Sequence, residues 1–594
     1  NEVNLISCGD NYGIFELFNH NTSSHRDYNT NNGGFSVTSS NSNVVNFDGR
    51  VKCGSKAGEA IITIKQAQND YYEAASFSQT FYVIRRDRNG AMLIKDADEW
   101  KLFCKLVNEK GLTNLNARLD GDVNLGTEIT MLGEGRSYAG TFDGQEHALK
   151  INWNSGDRKW IAPFQTVNGA TIRNLRTEGE INSSTLFLSG LVHEAYGNTT
   201  ISGCVSAVNI TSSYNEGGCN VAGIIECVRK DAKVTITDCI VKGKFNATTE
   251  KGRGYMGGFV CNQYGTCTLT NCLYAGTNNC SMGYTFCTNY FSGTTLNNCY
   301  YLNACGKPQG TQITEAQLKN GEVARLLQAG RSDACHWAQQ LGEMPDFYNA
   351  ADKSKANYVY YDAAKKGWAC DDFRLTDEQP LPIGLDFTAA TVTYERNFNG
   401  TQKTTLCLPY DLSAQGFKAY TLSGGNKNEV HFKETKDKLT AYTPYYITAD
   451  GTPLLGGTNI EVKAYTGANL TTSANGYSIK GTVVSMDNAT AAAANAYILQ
   501  DDGMFHKVTT EYPEATVPAY RAYITCPKTL GAKQFSVILD GETTGIGDVT
   551  NEATDGKNGP VYDLQGRRVA DRLDDATRHQ LPAGVYIVGG RKVI

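Results

Sequence analysis

The chain of 594 residues is too long for a single hydrophobic core, so we expect three to five domains. Its 61 glycines against 13 prolines favour turn-rich β structure over helical bundles. With a formal net charge of -6, the chain lacks the excess of basic residues that nucleic-acid binding requires. No apolar run approaches the roughly 20 residues that cross a bilayer. The sequence therefore predicts a folded, all-β, multidomain protein that binds no nucleic acid.

The first predicted domain is a small β-sandwich over residues 1–88. Within it, residues 35–84 alternate apolar and polar side chains as strands do. The motifs VTSSN, AGEAIITIKQA and YYEAASFSQTFYVI occur there in an order that resembles bacterial Ig-like domains. The opening segment NEVNLISCGD lacks the basic and apolar stretches of a signal peptide. Two alternatives follow, a cytosolic chain or an exported chain whose signal was removed before residue 1.

A helix is predicted next, over the segment KDADEWKLFCKLVNEKG at residues 95–111. Trp100, Phe103, Cys104 and Val107 recur at helical spacing and share one face. Because the ends of a stacked-repeat domain must be covered, we expect this helix to cap the repeats that follow it.

Two short signals alternate through residues 160–305. One is a small-residue turn before apolar residues (SGLV, AGII, GGFV and MGYTF), and the other is [I/L]-x-[N/D/G]-C, 14 or 16 residues after the turn glycine. The residues at the cysteine position, with a leucine in a degenerate first copy, are Leu175, Cys204, Cys239, Cys272 and Cys299. A recurring unit of this length, without helical periodicity, predicts a right-handed parallel β-helix with about one coil per repeat.

The cysteines cluster in this repeat region, since eleven of the eighteen fall between Cys204 and Cys305. At the repeat position we expect an inward, buried free thiol that acts as a small apolar filler. Two alternatives stay open: disulfides or a metal site. Four convergent zinc ligands are hard to find where histidine is scarce. The cysteines considered for disulfides are Cys261, Cys267, Cys280, Cys287 and Cys305.

The pairing of GG[L/F][V/I] with NC and a following apolar residue resembles the GLUG repeats of bacterial surface proteins. We assign residues 89–376 to this repeat domain. Its predicted closing part is an amphipathic helix over 311–330, followed by HWAQQLGEMPDFYN and YVYYD. Similar helix-then-WxxxLG segments close the repeat region in the proteins that this chain resembles.

A second β-sandwich is predicted for residues 377–545, where CLPYDL, TPYYI and PAYRAYI resemble a domain near the C-termini of secreted Bacteroidales proteins. Residues 546–594 are predicted to hold a linker and a sorting domain. There VYDLQGRRV and LPAGVYIVGGRKVI resemble the C-terminal sorting domain of Bacteroidetes secretion substrates. This resemblance implies export, a signal peptide already removed, and an extracellular or outer-membrane surface location reached through secretion and anchoring machinery.

Signatures of catalysis are scarce. His193-Glu194 opens an HExxH pattern, but Gly197 stands where the second histidine belongs. Asp120, Asp122 and Asn124 resemble the start of a calcium loop, but the required glycine and glutamate are replaced by Leu125 and Met131. We therefore predict no catalytic residue, no cofactor-binding residue and no metal ligand.

Two functions compete at this stage. The first is an exported cell-surface adhesion protein without catalytic activity, which binds a glycan or a host surface protein. The alternative is a polysaccharide lyase or glycoside hydrolase that uses acidic side chains on the lateral face of the β-helix. The candidate residues for that alternative are Glu194, Glu226 and Asp238, with Arg229 or Lys230 nearby. Asp238 fills a position held by Asn or Gly in the sister repeats, which favours a turn role. A stalk that only displays other domains is a third option.

Overall fold

The computed structural model describes residues 3–12, 35–47, 50–68, 70, 73–288, 293–396, 398, 402–527, 530–540, 560–563, 566–573, 575–582, 585–588 and 591–593. The chain divides into two compact units. The first contains Asn1–Arg374, Leu381–Thr393 and Gly457–Thr466, and the second contains Leu375–Pro380, Tyr394–Gly456 and Gly467–Ile594.

The centre of the first unit is a parallel β-helix whose coils stack residue on residue. In one row, Ile172 pairs with Ile201, Ile201 with Ile236, and Ile236 with Leu269, all in parallel. These side chains are fully buried, so each coil extends one continuous apolar core. The predicted all-β fold with a central parallel β-helix is confirmed, while the handedness of the coil stays a prediction.

Four parallel sheets run along the β-helix. The first sheet consists, in spatial order, of Met92–Ile94, Ala117–Leu119, Thr141–Asp143, Thr171–Arg173, Asn198–Ser202, Lys233–Thr237, Thr266–Thr270 and Thr294–Asn297. The second sheet consists of Val123–Gly126, Ala148–Gly156, Arg176–Ser183, Val205–Ser212, Ile240–Val241, Leu273–Tyr274, Tyr300–Tyr301 and Thr311–Gln312, with Lys244–Ala247 and Thr277–Asn278 beside them. The third sheet consists of Phe164–Asn168, Val192–Tyr196, Ile225–Val228 and Val260–Gln263. The fourth sheet consists of Leu188–Ser189, Val221–Ala222 and Met256–Gly257.

A left-handed residue forms the corner between the first and second sheets in each coil. The corner residues are Asn174, Gly203, Asp238, Asn271 and Asn298, with φ between 50° and 60°. Asn, Asp and Gly are the residues that adopt this conformation at low cost. The [N/D/G]-C motif is therefore the sequence signature of this corner, and the turn role predicted for Asp238 is confirmed.

The cysteine after each corner points into the core. The four ladder thiols (Cys204, Cys239, Cys272 and Cys299) are at most 4% exposed. Each donates to the carbonyl oxygen two residues earlier, as Cys272 does to Thr270 at 3.4 Å. Burial raises the pKa of Cys272 well above its ordinary value. The buried free thiol is confirmed, and the cysteines considered for disulfides also carry free thiols.

The predicted capping helix forms as Ala97–Asn108, shorter at both ends than the sequence segment. The side chain of Asp96 caps its N-terminus by accepting from the amide of Glu99 at 3.0 Å. Trp100 packs edge-on against Phe142 and Phe164, with ring centroids 5.8 and 6.0 Å away. Because these two phenylalanines belong to the first and third sheets, the helix covers the open end of the core.

The single helix predicted over 311–330 is wrong. The structure has two short helices, Glu315–Lys319 and Glu322–Gln328. Between them Gly321 adopts φ 89°, and a Cβ at this position would lie 2.3 Å from Cδ2 of Leu385. The helix breaks at this glycine because of its left-handed conformation and its contact with a leucine distant in the chain. Helical periodicity in the sequence cannot predict such a contact.

These two helices and the strands Trp337–Gln340 and Asp346–Phe347 form a closing segment along the outer side of the second sheet. They cover the apolar residue that follows each cysteine, namely Val205, Ile240, Leu273 and Tyr300. Polar contacts hold the segment at separate coils: Asp346 pairs with Arg176 at 2.9 Å, Arg331 with Asp238 at 2.7 Å, and Leu326 O accepts from Asn298 at 2.7 Å. The apolar residue in the repeat motif is therefore an outward docking position.

Three further sheets belong to the first unit, one after the closing helices in the chain and two before the β-helix. A six-stranded sheet has the order Asp346–Phe347, Trp337–Gln340, Tyr358–Asp362, Gly367–Thr376, Phe387–Glu395 and Gly457–Val462, so it takes strands from both sides of residue 376. At the N-terminus, a four-stranded sheet contains Asn4–Ser7, Ala75–Ile84, Gly58–Gln66 and Phe35–Ser39. It shares a core with a three-stranded sheet of Asn11–Tyr12, Val51–Cys53 and Val45–Phe47. This arrangement is a small β-sandwich, and its relation to Ig-like domains stays a prediction.

The second unit is built on a ten-stranded sheet. Its strands are Lys403–Leu406, Tyr445–Ala449, Phe417–Gly425, Glu429–Thr435, Gln534–Leu539, Phe505–Lys507, Tyr497–Leu499, Ala522–Thr525, Tyr477–Gly481 and Thr471–Ala474, and it carries the helix Asn488–Ala493. At the C-terminus, Arg568–Ala570, Val561–Tyr562, Tyr586–Val588 and Arg591–Val593 form a four-stranded antiparallel sheet beside the helix Asp575–Gln580. The predicted linker at 546–559 lies outside the described residues. Among the described helices, none is long and apolar enough to cross a membrane.

The cysteine ladder makes a testable prediction. Cys272→Val should change the free energy of unfolding by no more than about 1.5 kcal/mol, because Leu175 shows that the ladder accepts apolar side chains. Cys272→Asp should cost about 3 kcal/mol or more, because it buries a carboxylate without a cation. Urea unfolding followed by circular dichroism measures both. Equal stability of the Val and Asp variants would contradict the buried ladder.

Candidate functional site

One row of side chains crosses three successive coils at the end of the third sheet. Tyr196 is the last residue of its strand, and Arg229 and Tyr264 follow the next two strands. The amide of Arg229 donates to Ala195 O at 3.0 Å, and that of Tyr264 to Val228 O at 2.9 Å. The backbone ladder therefore sets an arginine between two tyrosines, with about 4.8 Å between neighbouring coils.

This row lines an open cleft of about 560 Å³, together with Lys230. Both tyrosines show substantial surface to solvent, 36% for Tyr196 and 47% for Tyr264. We call the four lining residues the tyrosine–arginine cleft. It combines two aromatic rings with two cations at the end of the third sheet.

Glu194 lies beside the tyrosine–arginine cleft and is held there by two of its residues. The guanidinium of Arg229 donates to one carboxylate oxygen, and the hydroxyl of Tyr196 donates to the other at 3.2 Å. Partial burial, with the Glu194 carboxylate as the second cause, raises the pKa of Tyr196 above its ordinary value. The carboxylate therefore orients the arginine and one tyrosine.

Glu226 also lies in the third sheet, but its surroundings differ from those of Glu194. It is 1% exposed and lies 3.3 Å from Nε2 of His193, which is also buried. The side-chain amide nitrogen of Asn262 donates to the other carboxylate oxygen of Glu226 at 2.6 Å. These contacts satisfy the Glu226 carboxylate inside the protein, where solvent does not reach it.

Asp238 lies at the corner between the first and second sheets, not on the third. Its carboxylate accepts both guanidinium nitrogens of Arg331, at 2.8 and 2.7 Å, and the indole nitrogen of Trp337 at 2.7 Å. The three acidic candidates thus have three separate surroundings. Only Glu194 among them borders the cleft, whereas both basic candidates, Arg229 and Lys230, line it.

In the segment that resembles a calcium loop, the carboxylates make contacts with other residues of the protein. Asp120 pairs with Arg85 at 2.6 Å, and Asp122 accepts from the amide of Ala148 at 3.0 Å and lies 3.3 Å from Lys150. Within the described ranges, no three His, Cys, Asp or Glu side chains are grouped to hold a metal ion. The absence of metal and cofactor sites stays a prediction.

The tyrosine–arginine row was missed by the sequence analysis, although a signal exists. Each member stands six residues after a repeat glycine: Gly190 to Tyr196, Gly223 to Arg229 and Gly258 to Tyr264. The same offset in three repeats places three side chains on one line along the solenoid. The signal becomes visible only when the repeats are aligned on their glycines rather than on their cysteines.

The corner position predicts a graded response at Asp238. Asp238→Asn keeps a residue suited to φ 50° and loses the charged contact to Arg331, so we expect a loss of about 1–2 kcal/mol of unfolding free energy. Asp238→Ala should lose about 1 kcal/mol more, because alanine is strained in this conformation. The exposed Asp157→Ala is the control and should stay within about 0.5 kcal/mol. If chemical denaturation gave the Asn and Ala variants equal stability, the corner would contribute nothing.

No family model and no curated protein matches this chain. Two of the solved structures that match this chain show limited likeness. One, described as "a putative immunoglobulin A1 protease from Bacteroides ovatus", is 13% identical with a TM-score of 0.33, over 44% of this chain and 93% of its own. Another, described as "IgA1 Protease", is 13% identical with a TM-score of 0.25, over 43% of this chain and 26% of its own. At these TM-scores the likeness carries no argument about activity.

Proposed function

We propose that this chain is an exported surface protein that binds a glycan in the tyrosine–arginine cleft. The observation that carries the proposal is the row formed by Tyr196, Arg229 and Tyr264 on three coils. Aromatic faces pack against the C–H faces of sugar rings, and arginine donates several hydrogen bonds to hydroxyl or acidic groups. Two coils separate the tyrosines by about 9.6 Å, a span suited to a short oligosaccharide.

The rigidity of the third sheet supports this role. Its strands are stacked in parallel register, and Glu194 orients both Arg229 and Tyr196. A site held in place before ligand arrives loses little conformational entropy on binding. The cleft is also open, as a site for a segment of a longer chain must be.

Export and surface attachment are supported by the tail. Its two sequence runs resemble a sorting domain, and the described residues of these runs pair as two antiparallel hairpins, Val561–Tyr562 with Arg568–Ala570 and Tyr586–Val588 with Arg591–Val593. A small sheet formed by these strands gives secretion machinery a folded element to recognise.

The degradative alternative depends on carboxylates that can act together on one glycosidic bond. Glu194 is paired with Arg229, Glu226 is buried against His193 and Asn262, and Asp238 is bonded to the closing segment. These surroundings favour binding without turnover. A host protein stays the second candidate ligand.

The experiment is a glycan-array screen with the full chain, followed by titration of the best ligand. Tyr196→Ala and Tyr264→Ala should each weaken binding by about tenfold, because each removes one stacking face. Tyr512→Ala is the matched control, since this tyrosine is 60% exposed and belongs to the second unit. Unchanged affinity in both cleft variants would rule out the cleft as the binding site.

Turnover is measured on the same ligands by reducing-sugar and unsaturated-product assays. Binding without product supports the adhesion protein. Product formation that is lost in Glu194→Gln would instead establish the degradative enzyme. If the chain bound a host glycoprotein equally well before and after its glycans were removed, the ligand would be protein.

A further inference from the structure

A pair of cysteines lies at the last coils of the β-helix, outside the cysteine ladder. Cys280 follows the strand Thr277–Asn278, and Cys305 follows Tyr300–Tyr301. The side-chain amide of Asn278 donates to Ala304 O at 3.0 Å and joins the two loops. Both thiols point at the same carbonyl oxygen, that of Met256, at 3.8 and 3.7 Å. The two sulfurs therefore converge on one point.

The two thiols differ in exposure and in acidity. Cys305 is fully buried, whereas Cys280 is partly exposed to solvent. Contact with the Cys305 thiol lowers the pKa of Cys280 to about 7, against the opposing effect of burial, and the backbone at Met256, Met282 and Gly283 contributes. The same contact, with burial, raises the pKa of Cys305 well above its ordinary value. The pair therefore joins a partly exposed thiol of lowered pKa to a buried thiol of raised pKa.

We propose that Cys280 and Cys305 are a modification site at which a low-molecular-weight disulfide forms an intrachain disulfide bond. The Cys280 thiolate attacks one sulfur of the reagent, breaks its S–S bond and expels the first small thiolate. Cys305 then attacks the Cys280 sulfur of this mixed disulfide and expels the second small thiolate, which takes the Cys305 proton. The first small thiolate takes from solvent the proton that Cys280 released on ionising, so two protein thiols become one disulfide and the reagent disulfide is reduced to two thiols.

Four other described cysteines, namely Cys8, Cys272, Cys299 and Cys335, lack this combination. Cys272 and Cys299 are also neighbours, in the cysteine ladder, but they are 0% and 4% exposed inside the core. Cys8 and Cys335 are partly exposed, but burial raises the pKa of both, to about 11 for Cys335. Reactivity of a thiol requires thiolate and access together. Among these cysteines, Cys280 has both.

The bond would close the chain between 280 and 305, a segment that includes the ladder residue Cys299. It would tie the loop of one coil to the loop of the next at the end of the β-helix opposite the capping helix. The tyrosine–arginine cleft contributes no residue to this pair, so the proposed modification does not rest on the proposed glycan binding.

The test uses the full chain, fully reduced and then incubated with glutathione disulfide at pH 7.5. Mass spectrometry of the unreduced digest should show the peptides of Cys280 and Cys305 linked, with the loss of two titratable thiols. Cys305→Ser should trap glutathione on Cys280, because the second step has no attacking sulfur. Cys280→Ser should leave Cys305 as a free thiol, and Cys335→Ser, the matched control, should still form the link. Circular dichroism confirms that each variant is folded.

A pH profile separates the paired thiol from an ordinary one. Alkylation of Cys280 should reach half its maximal rate near pH 7, because its thiolate is present above the lowered pKa and is lost as pH falls through it. In Cys305→Ser the midpoint should move up by more than one pH unit. A different linked pair, a wild-type chain that stops at the mixed disulfide, or an unreacted Cys280 beside a modified Cys335 would each overturn the proposal.

Discussion

The left-handed corner between the first and second sheets is the constraint on which the β-helix depends. Along a regular strand, side chains alternate between the core and the outside. The corner residue, such as Asn271 with φ 55°, resets this alternation so that Cys272 faces in and Leu273 faces out. The inward residue extends the core from coil to coil, and the outward residue receives the closing segment. One backbone conformation thus serves both the interior packing and the outer docking.

The features that repeat locally could be predicted from the sequence. The glycine turns and the [N/D/G]-C motif recur at a nearly constant spacing, so the parallel coils and the inward cysteines follow from the chain itself. The face of the capping helix was readable for the same reason, since Trp100 and Phe103 are spaced by the helical turn. Its ends were less readable, because capping contacts and packing decide them.

Contacts between residues far apart in the chain could not be predicted from the sequence. The break at Gly321 depends on Leu385, and the roles of Asp238 depend on Arg331 and Trp337, which are 93 and 99 residues away. The same limit applies to the candidate site. Sequence could list Glu194, Glu226 and Asp238 as acidic residues, but only the fold shows that one borders a cleft, one is buried and one supports a corner. The tyrosine–arginine row could be predicted only if one knew which position after the repeat glycine places its side chain on the outer face.

The closing segment also acts as a length gauge for the β-helix. It binds three coils at fixed points, through Arg176, Asp238 and Asn298, while its own length is set by two short helices and two strands. A gain or loss of one coil between these points would move them by one strand spacing and break at least one contact, although the core itself would tolerate the change. Repeat proteins commonly vary in repeat number, since each repeat contacts only its neighbours. In this protein the count is tied to a part of the chain that does not repeat, so coils and closing segment can change only together.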